Sequence, residues 1–343
     1  MDQPQSMTAL LMTGAEELQI RQLPVPKAGP HEIVVRTAFL GICGTDVHLH
    51  HGKSFYIDNG FLKHPFIFGH EYTGTVVSRG AGAERVGVGS RVVGHCMVPC
   101  NSCDNCQRGR RNLCRSLREV GLRFIPGAAA EYVVVPDTAV SIVPDNVSLE
   151  AATLVEPAVT AYHACERTRV GKADRVAVIG TGTLGMLSLM ITKLTARSVD
   201  VIGVAQSEMD YALELGATRV LRPEEAARDA YDVVIEASGV RSSMQLAIDL
   251  CDLGGRIALV GIPGSTSPEV SQGSLVLKDI SVHGILHGID YYGLTLDLLA
   301  TGKLDTRKLV ARIGGVEEAG SMFADMSKPD RSRPKYLIRF RGE

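Results

Sequence analysis

The sequence predicts an α/β protein in which a β-rich portion is followed by a doubly wound parallel sheet. Three observations carry this expectation. After about residue 157 the chain alternates short apolar runs with helical periods, the pattern of βαβ units. Before it, residues 8–40 alternate apolar and polar positions in part, broken by Pro24, Pro26, Gly29 and Pro30, as short antiparallel strands with turns do. At 343 residues the chain also exceeds the usual limit for one core, so more than one domain is expected.

Taken in order, Glu32–Ala38 reads as a strand, and Gly41–His48 as a loop running into a helical turn. His50, His51 and His64 lie in the irregular segment before Gly69 and read as loop polarity. Tyr72–Val77, Arg91–Val98 and Ala129–Pro136 read as further strands. In the second part, strand Arg175–Ile179 leads into a helix to about Thr195. Strand Val199–Val204, helix Ser207–Leu215, and strands Arg219–Leu221 and Asp232–Glu236 follow. Helix Ser242–Cys251 and strands Arg256–Val260 and Ile280–Ile285 complete a six-stranded sheet. The tail carries a helix near Gly293–Ala300 and a closing strand, Lys335–Phe340.

Composition excludes several classes. A net charge of −2 offers no basic field for nucleic acid and no polybasic membrane patch. Residues 1–20 lack a basic segment followed by an apolar one, and no apolar run reaches the roughly 18–20 residues of a membrane span. The expectation is a soluble cytoplasmic protein without nucleic-acid or membrane partners.

Four of the eight cysteines, Cys100, Cys103, Cys106 and Cys114, follow the spacing C-x2-C-x2-C-x7-C. Such close neighbours are better placed to share one metal than to form strained disulfides, and four protein thiolates make a closed, structural zinc site. Arg108, Arg110 and Arg111 within this lobe read as a solvated face. Cys96, Cys165 and Cys251 lie outside it and read as small buried hydrophobes. A second candidate centre pairs Cys43 with His70. A thiolate and an imidazole suit zinc, and Glu71 or Glu156 could complete a set that leaves one position open for substrate. Strand Arg175–Ile179 enters Gly180-Thr181-Gly182-Thr183-Leu184-Gly185, a G-x-G-x-x-G turn opening a helix. Small residues there let backbone N–H groups approach a pyrophosphate.

These motifs stand in a particular order: the Cys43 loop, Gly69-His70-Glu71, the cysteine lobe, Val155-Glu156-Pro157, then the glycine turn. In that order, and over nearly the whole length, the chain resembles the zinc-dependent medium-chain alcohol and polyol dehydrogenases, including the sorbitol- and threonine-oxidising kinds. The resemblance implies a GroES-like β-rich catalytic domain (1–157 and 291–343, with the zinc lobe at 96–116) and a Rossmann cofactor domain (158–290). It implies Cys43 and His70 as ligands of a catalytic zinc, with Glu156 where simpler relatives place a second cysteine. Glu71 would be a direct ligand or a carboxylate exchanging at the metal. Thr45 would accept the alcohol proton and His48 pass it to solvent, while Asp46 supports the loop. Ser238, Gly261 and Leu286 would lie in the loops that meet the nicotinamide. A homodimer or homotetramer is implied, built through the last sheet strand around Ser281–Leu286.

The pattern departs at the adenosine ribose. No Asp or Glu closes the second strand, where Gln206 and Ser207 stand; Asp200 comes too early and Glu208 too late. The missing carboxylate tips the balance toward NADP, yet no Arg lies between Gly203 and Ala212 to clamp a 2′-phosphate. NAD and NADP both stay open. The expected reaction is hydride transfer between NAD(P) and a secondary alcohol of polyol, sugar or cyclitol type; Glu156 and His287 would hold its hydroxyls. Phe55, Tyr56, Phe66 and Phe68 near the metal loop temper the argument that low aromatic content disfavours an aromatic alcohol. The alternatives are an amino-alcohol dehydrogenase of threonine-like specificity and a non-catalytic dinucleotide sensor of the same fold.

Overall fold

β-Branched residues in alternation fold the first third of the chain into an antiparallel sheet, in a computed structural model that describes residues 4–263, 269–328, 330, 331 and 333–340. The outermost ends of the expected ranges, residues 1–3 and 341–343, lie outside the described residues. Strand Glu32–Gly41 is central. It pairs antiparallel with Glu71–Arg79, with Tyr132–Pro136 and with Lys335–Arg339. The chain's last strand therefore lies against one of its first, and brings Val310–Gly314 with it as a parallel neighbour. A separate hairpin, Ser6–Gly14 with Glu17–Pro24, adds Phe66–Ile67 at its edge.

The second sheet is six-stranded and parallel throughout. Its spatial order is Arg219–Leu221, Ser198–Ile202, Arg175–Ile179, Tyr231–Glu236, Cys251–Leu259, Ser281–Gly284.

 The order reverses between Arg175–Ile179 and Tyr231–Glu236, which opens a crevice at the carboxyl ends of the strands. The central strands carry apolar runs, residues 176–179 and 233–235, because both of their faces are covered: Val176, Val178, Val233 and Ile235 pack toward one core, and Ala177, Val234 and Ile257 toward another.

Helix Val155–Thr168 joins the two sheets. Its Ala158, Ala161 and Ala164 enter the core under the parallel sheet, while Val155 and Val159 pack with Ala38, Val93 and Tyr292. Pro157 is tolerated because it lies in the first turn, where the backbone N–H has no helical acceptor. Arg169 ends the helix in the left-handed region, at φ 50° and ψ 50°.

The helix after the glycine turn ends at Thr192 rather than near Thr195, and the strand expected over Val199–Val204 spans Ser198–Ile202. Two further differences change an element's extent or partners. Arg91–Val98 is not one strand: Arg91–Gly94 joins the first sheet, and Met97–Val98 pairs with Arg118–Val120 beside the cysteine lobe. The break follows Gly94, which has room for no side chain because a Cβ would meet the Tyr72 ring at 2.0 Å. The helix expected to run to Cys251 stops at Leu250, and Cys251 begins the next strand. No helix among the described residues is long and apolar enough to cross a membrane.

Candidate functional site

Helix Gly44–His50 starts at Cys43, whose backbone N–H donates to Asp46 Oδ2 at 2.9 Å. This local cap fixes the Cys43 thiol at the helix entrance and buries the Asp46 carboxylate completely. Asp46 Oδ1 then lies 3.8 Å from His70 Nδ1. His70 and Glu71 arrive at the start of strand Glu71–Arg79, and both are buried. Ligand atoms of Cys43, His70 and Glu71 all lie within 4.8 Å of one another. A thiol, an imidazole and a carboxylate converging in a buried site suit a zinc ion. Burial pushes the His70 imidazole down, but the Asp46 carboxylate and Cys43 outweigh it and hold its pKa well above the usual value. Thr45 is half-buried on the same helix, and His48 is exposed.

Glu156 is near enough for its charge to act on His70, Asp46 and Glu71, but its carboxylate is turned toward His287. His287 Nε2 and Glu156 Oε1 are 3.1 Å apart and both residues are buried. Burial raises the Glu156 carboxyl, while the His287 hydrogen bond and the fields of His287, His70 and Lys335 bring it below its usual range. The loop after the last parallel strand thus reaches the group of metal-ligand type.

Cys100, Cys103, Cys106 and Cys114 also converge, with their sulfurs within 4.8 Å of one another. Neighbouring sulfurs are 3.4, 3.6 and 3.9 Å apart, close to the roughly 3.8 Å edge of a tetrahedron with Zn–S bonds of about 2.3 Å. Every cysteine here is a free thiol. Hydrogen bonds from Ser102, and from the Cys103 backbone, bring the Cys100 thiol down to about 5; burial pushes Cys106 up to about 12. A bound dication would favour all four thiolates at once.

The glycine turn has the three distinct environments a dinucleotide loop requires. Gly180 has φ +107°, and a Cβ there would meet the Ser238 backbone at 2.9 Å. Gly185 lets helix Thr183–Thr192 lie on the strand, since its Cβ would meet the Gly180 carbonyl oxygen at 2.0 Å. Gly182, by contrast, faces open space with nothing within 4 Å. That is the free approach a pyrophosphate needs, with Thr183 and Leu184 opening the helix above it. Ser238 and Gly239 are fixed by the buried Glu236: Glu236 Oε1 accepts from the Ser238 and Gly239 backbone N–H groups at 2.7 and 3.0 Å. Gly261 packs against Gly239 and the Glu236 carboxylate, and Leu286 is exposed.

At the second strand's tip, Gln206 donates to Asp210 and Ser207 to Asp330, so neither side chain is uncommitted. Asp200 is buried and held by Arg219 and Tyr231. Glu208 folds back onto the Thr181 hydroxyl. Arg222, from the neighbouring strand's end, donates to the Val204 carbonyl at 3.0 Å. A search of the segment after the second strand alone could not find this arginine.

Sequence reasoning also missed Lys335 and Glu236. Lys335 is buried, ion-paired with Glu71 and donating to the Ile42 carbonyl at 2.9 Å. Its one sequence signal is a lysine beginning the apolar run Tyr336-Leu337-Ile338. Of the aromatics near the metal loop, Phe68 is core, against Phe323. Phe55 is exposed, and Phe61 lies between it and the exposed Phe124.

Two stretches of the chain match known protein domains. Residues 29–145 match the alcohol dehydrogenase GroES-like domain, and residues 183–301 match the zinc-binding dehydrogenase domain. The chain is similar to sorbitol dehydrogenase of Bacillus subtilis, 30% identical over 319 residues that cover 90% of each chain. It is 33% identical to L-threonine 3-dehydrogenase of Aeromonas hydrophila over 275 residues, 77% of this chain and 79% of that one. Among solved structures, a protein of Sinorhizobium meliloti 1021 assigned as a zinc-binding dehydrogenase, with NADP bound, superposes with a TM-score of 0.89. It is 27% identical, and the match covers 98% of this chain and 99% of that one.

Proposed function

The chain belongs to the zinc-dependent medium-chain alcohol and polyol dehydrogenases, and from that premise we propose that it oxidises a secondary alcohol of a polyol or sugar derivative with NADP. The observation that carries this reading is the meeting of two sites. His287, from the loop ending the parallel sheet, touches Glu156, whose charge acts on His70 in the Cys43, His70 and Glu71 group. A substrate carbon held there would lie between a metal centre and the dinucleotide crevice.

Cys43 and His70 hold the catalytic zinc, with Glu71 or Glu156 as the third ligand. Zinc supplies Lewis acidity toward the alcohol oxygen, and the nicotinamide supplies the hydride acceptor. Asp46 orients His70 from behind. Thr45 takes the alcohol proton and His48, exposed on the same helix, hands it to solvent. Buried Glu156 and His287 offer polar partners to neighbouring hydroxyls, which favours a polyol over a plain alcohol. The four thiols of the lobe hold a structural zinc. Residues 1–157 with 291–343 form the catalytic domain and 158–290 the cofactor domain.

Arg222 supports the NADP choice. Among the described residues it has no ion-pair partner, while Glu208 and Asp200, the acidic residues flanking the second strand's tip, are taken up by Thr181 and Arg219. A threonine-like specificity is the second reading, supported by the 33% identity to L-threonine 3-dehydrogenase.

The test follows nicotinamide absorbance with zinc-loaded protein, crossing NAD⁺ and NADP⁺ with polyols, sugars, cyclitols and threonine. Reduction of NADP⁺ by a polyol, abolished by a chelator and by Cys43→Ser, is the expected result. Turnover of threonine alone would replace the polyol reading. Flat traces with both metals and dinucleotide bound would argue for a sensor.

A further inference from the structure

The cysteine lobe is joined to the catalytic region through the segment Leu286–Asp290. Ile289, only 4% exposed, packs in one apolar cluster with Met97, Cys106, Cys114 and Leu117. Arg111, in the short turn before Cys114, ion-pairs with Asp290 at 2.5 Å. Asn112 Nδ2 donates to the His287 carbonyl at 3.4 Å, and His163 Nδ1 lies 2.9 Å from the same oxygen. On its other side the segment presses on helix Val155–Thr168, where a Cβ on Gly288 would meet the Val159 carbonyl oxygen at 1.8 Å. The His287 ring, held between these anchors, is the one that meets Glu156 at 3.1 Å.

We propose that the cysteine lobe is the clamp that sets His287, and through it the Glu156 carboxylate, in working position, with Ile289 as the positioning residue. The proposal rests on the reading of Glu156 as part of the catalytic set. Only Gly288 separates Ile289 from His287, and it is wedged against the helix, so a displacement of Ile289 passes directly to the imidazole. The Arg111–Asp290 pair is 40% and 44% exposed, which makes it a screened, secondary contact. The apolar seat formed by Cys106, Cys114 and their neighbours is the principal one. An ion on the four thiolates fixes that seat, so loss of the lobe metal should slow turnover before the chain unfolds.

The experiment compares Ile289→Ala, Ile289→Val, His287→Asn and the Ile289→Ala/His287→Asn pair. It measures zinc per chain, NADPH affinity by fluorescence, kcat and KM, and the visible ligand-field spectrum with Co²⁺ in the catalytic site. Ile289→Ala should keep both metals and its NADPH affinity. Its kcat should fall about tenfold, the lower end for losing support around a metal-site group, and the cobalt spectrum should shift as in His287→Asn. Ile289→Val, which keeps most of the contact, should restore both. In the His287→Asn background the alanine change should add under about twofold, because the two residues act in series. An equal loss in both backgrounds, or an unmoved cobalt spectrum, would overturn the clamp. A silent His287→Asn would instead overturn the role given to Glu156. Should Ile289→Ala fail to fold, Asp290→Asn loosens the same segment from its surface side. The same kcat and spectral tests then decide, with a smaller expected shift.

Discussion

Lys335 puts its ammonium against the Glu71 carboxylate with both side chains 1% exposed. A buried ion pair is weak evidence for stability, yet removing one partner strands the other charge without water. Lys335→Met should therefore cost about 3–5 kcal/mol in a denaturant melt. Lys335→Met combined with Glu71→Gln should recover much of that loss, since no uncompensated charge remains. A loss below about 1 kcal/mol for the single variant would mean that Glu71 is held otherwise. Arg222 bears on cofactor choice in the same local way. A charge-assisted hydrogen bond contributes about 1.5–3 kcal/mol, so Arg222→Ala should weaken NADPH and 2′,5′-ADP by about ten- to a hundredfold. NADH and 5′-AMP should bind as before, and a uniform loss across all four ligands would remove the 2′-phosphate role. Neither residue was legible as a partner in the sequence. Lys335 meets a carboxylate 264 positions away, and Arg222 meets the Val204 carbonyl from the end of a neighbouring strand. Cys43, His70 and the four lobe cysteines were legible as candidates because their chemistry is rare and, in the lobe, their spacing is tight. That Glu156 turns to His287, 131 positions on, is tertiary information.

The glycine turn shows how one short element carries separable constraints. Gly182→Val places its side chain in open space, whereas Gly185→Val drives one into the Gly180 carbonyl oxygen. The first variant should fold with a near-native melting temperature and lose dinucleotide binding. The second should lose stability outright, because the clashing atom is backbone and the helix would have to lift from its strand. Calorimetry with NADPH and NADH separates the cases; full binding by Gly182→Val would take the pyrophosphate away from this turn. The central parallel strands were readable because strands covered on both faces carry continuous apolar runs, as in residues 176–179 and 233–235. Helix Val155–Thr168 escaped notice because it is buried over much of its surface and carries Pro157 in its first turn.

At the scale of the molecule, the parallel sheet ends in a strand, Ser281–Gly284, that among the described residues pairs on one side only, with Cys251–Leu259. An unpaired edge invites another strand, and the helix leading into it exposes Val276 at 70% and Leu277 at 84%. Leu253, on the neighbouring strand, is 74% exposed. Apolar side chains beside an open edge suit an isologous contact, in which the same surface of each copy meets about a twofold axis. The native protein should therefore scatter light with a mass of at least twice the 36.8 kDa chain. Leu277→Glu should fold normally, since the position is exposed in the single chain, but it places two like charges close together in the dimer. The variant should dissociate to the chain mass at micromolar concentration. A monomeric native protein would leave the edge without this partner, and an undissociated Leu277→Glu would move the interface elsewhere. The functional consequence follows from chain order: only Ile285 separates the edge strand from Leu286 and His287. Pairing that strand with its mate would steady their loop from its N-terminal end, so the dissociated variant should lose kcat while keeping both metals.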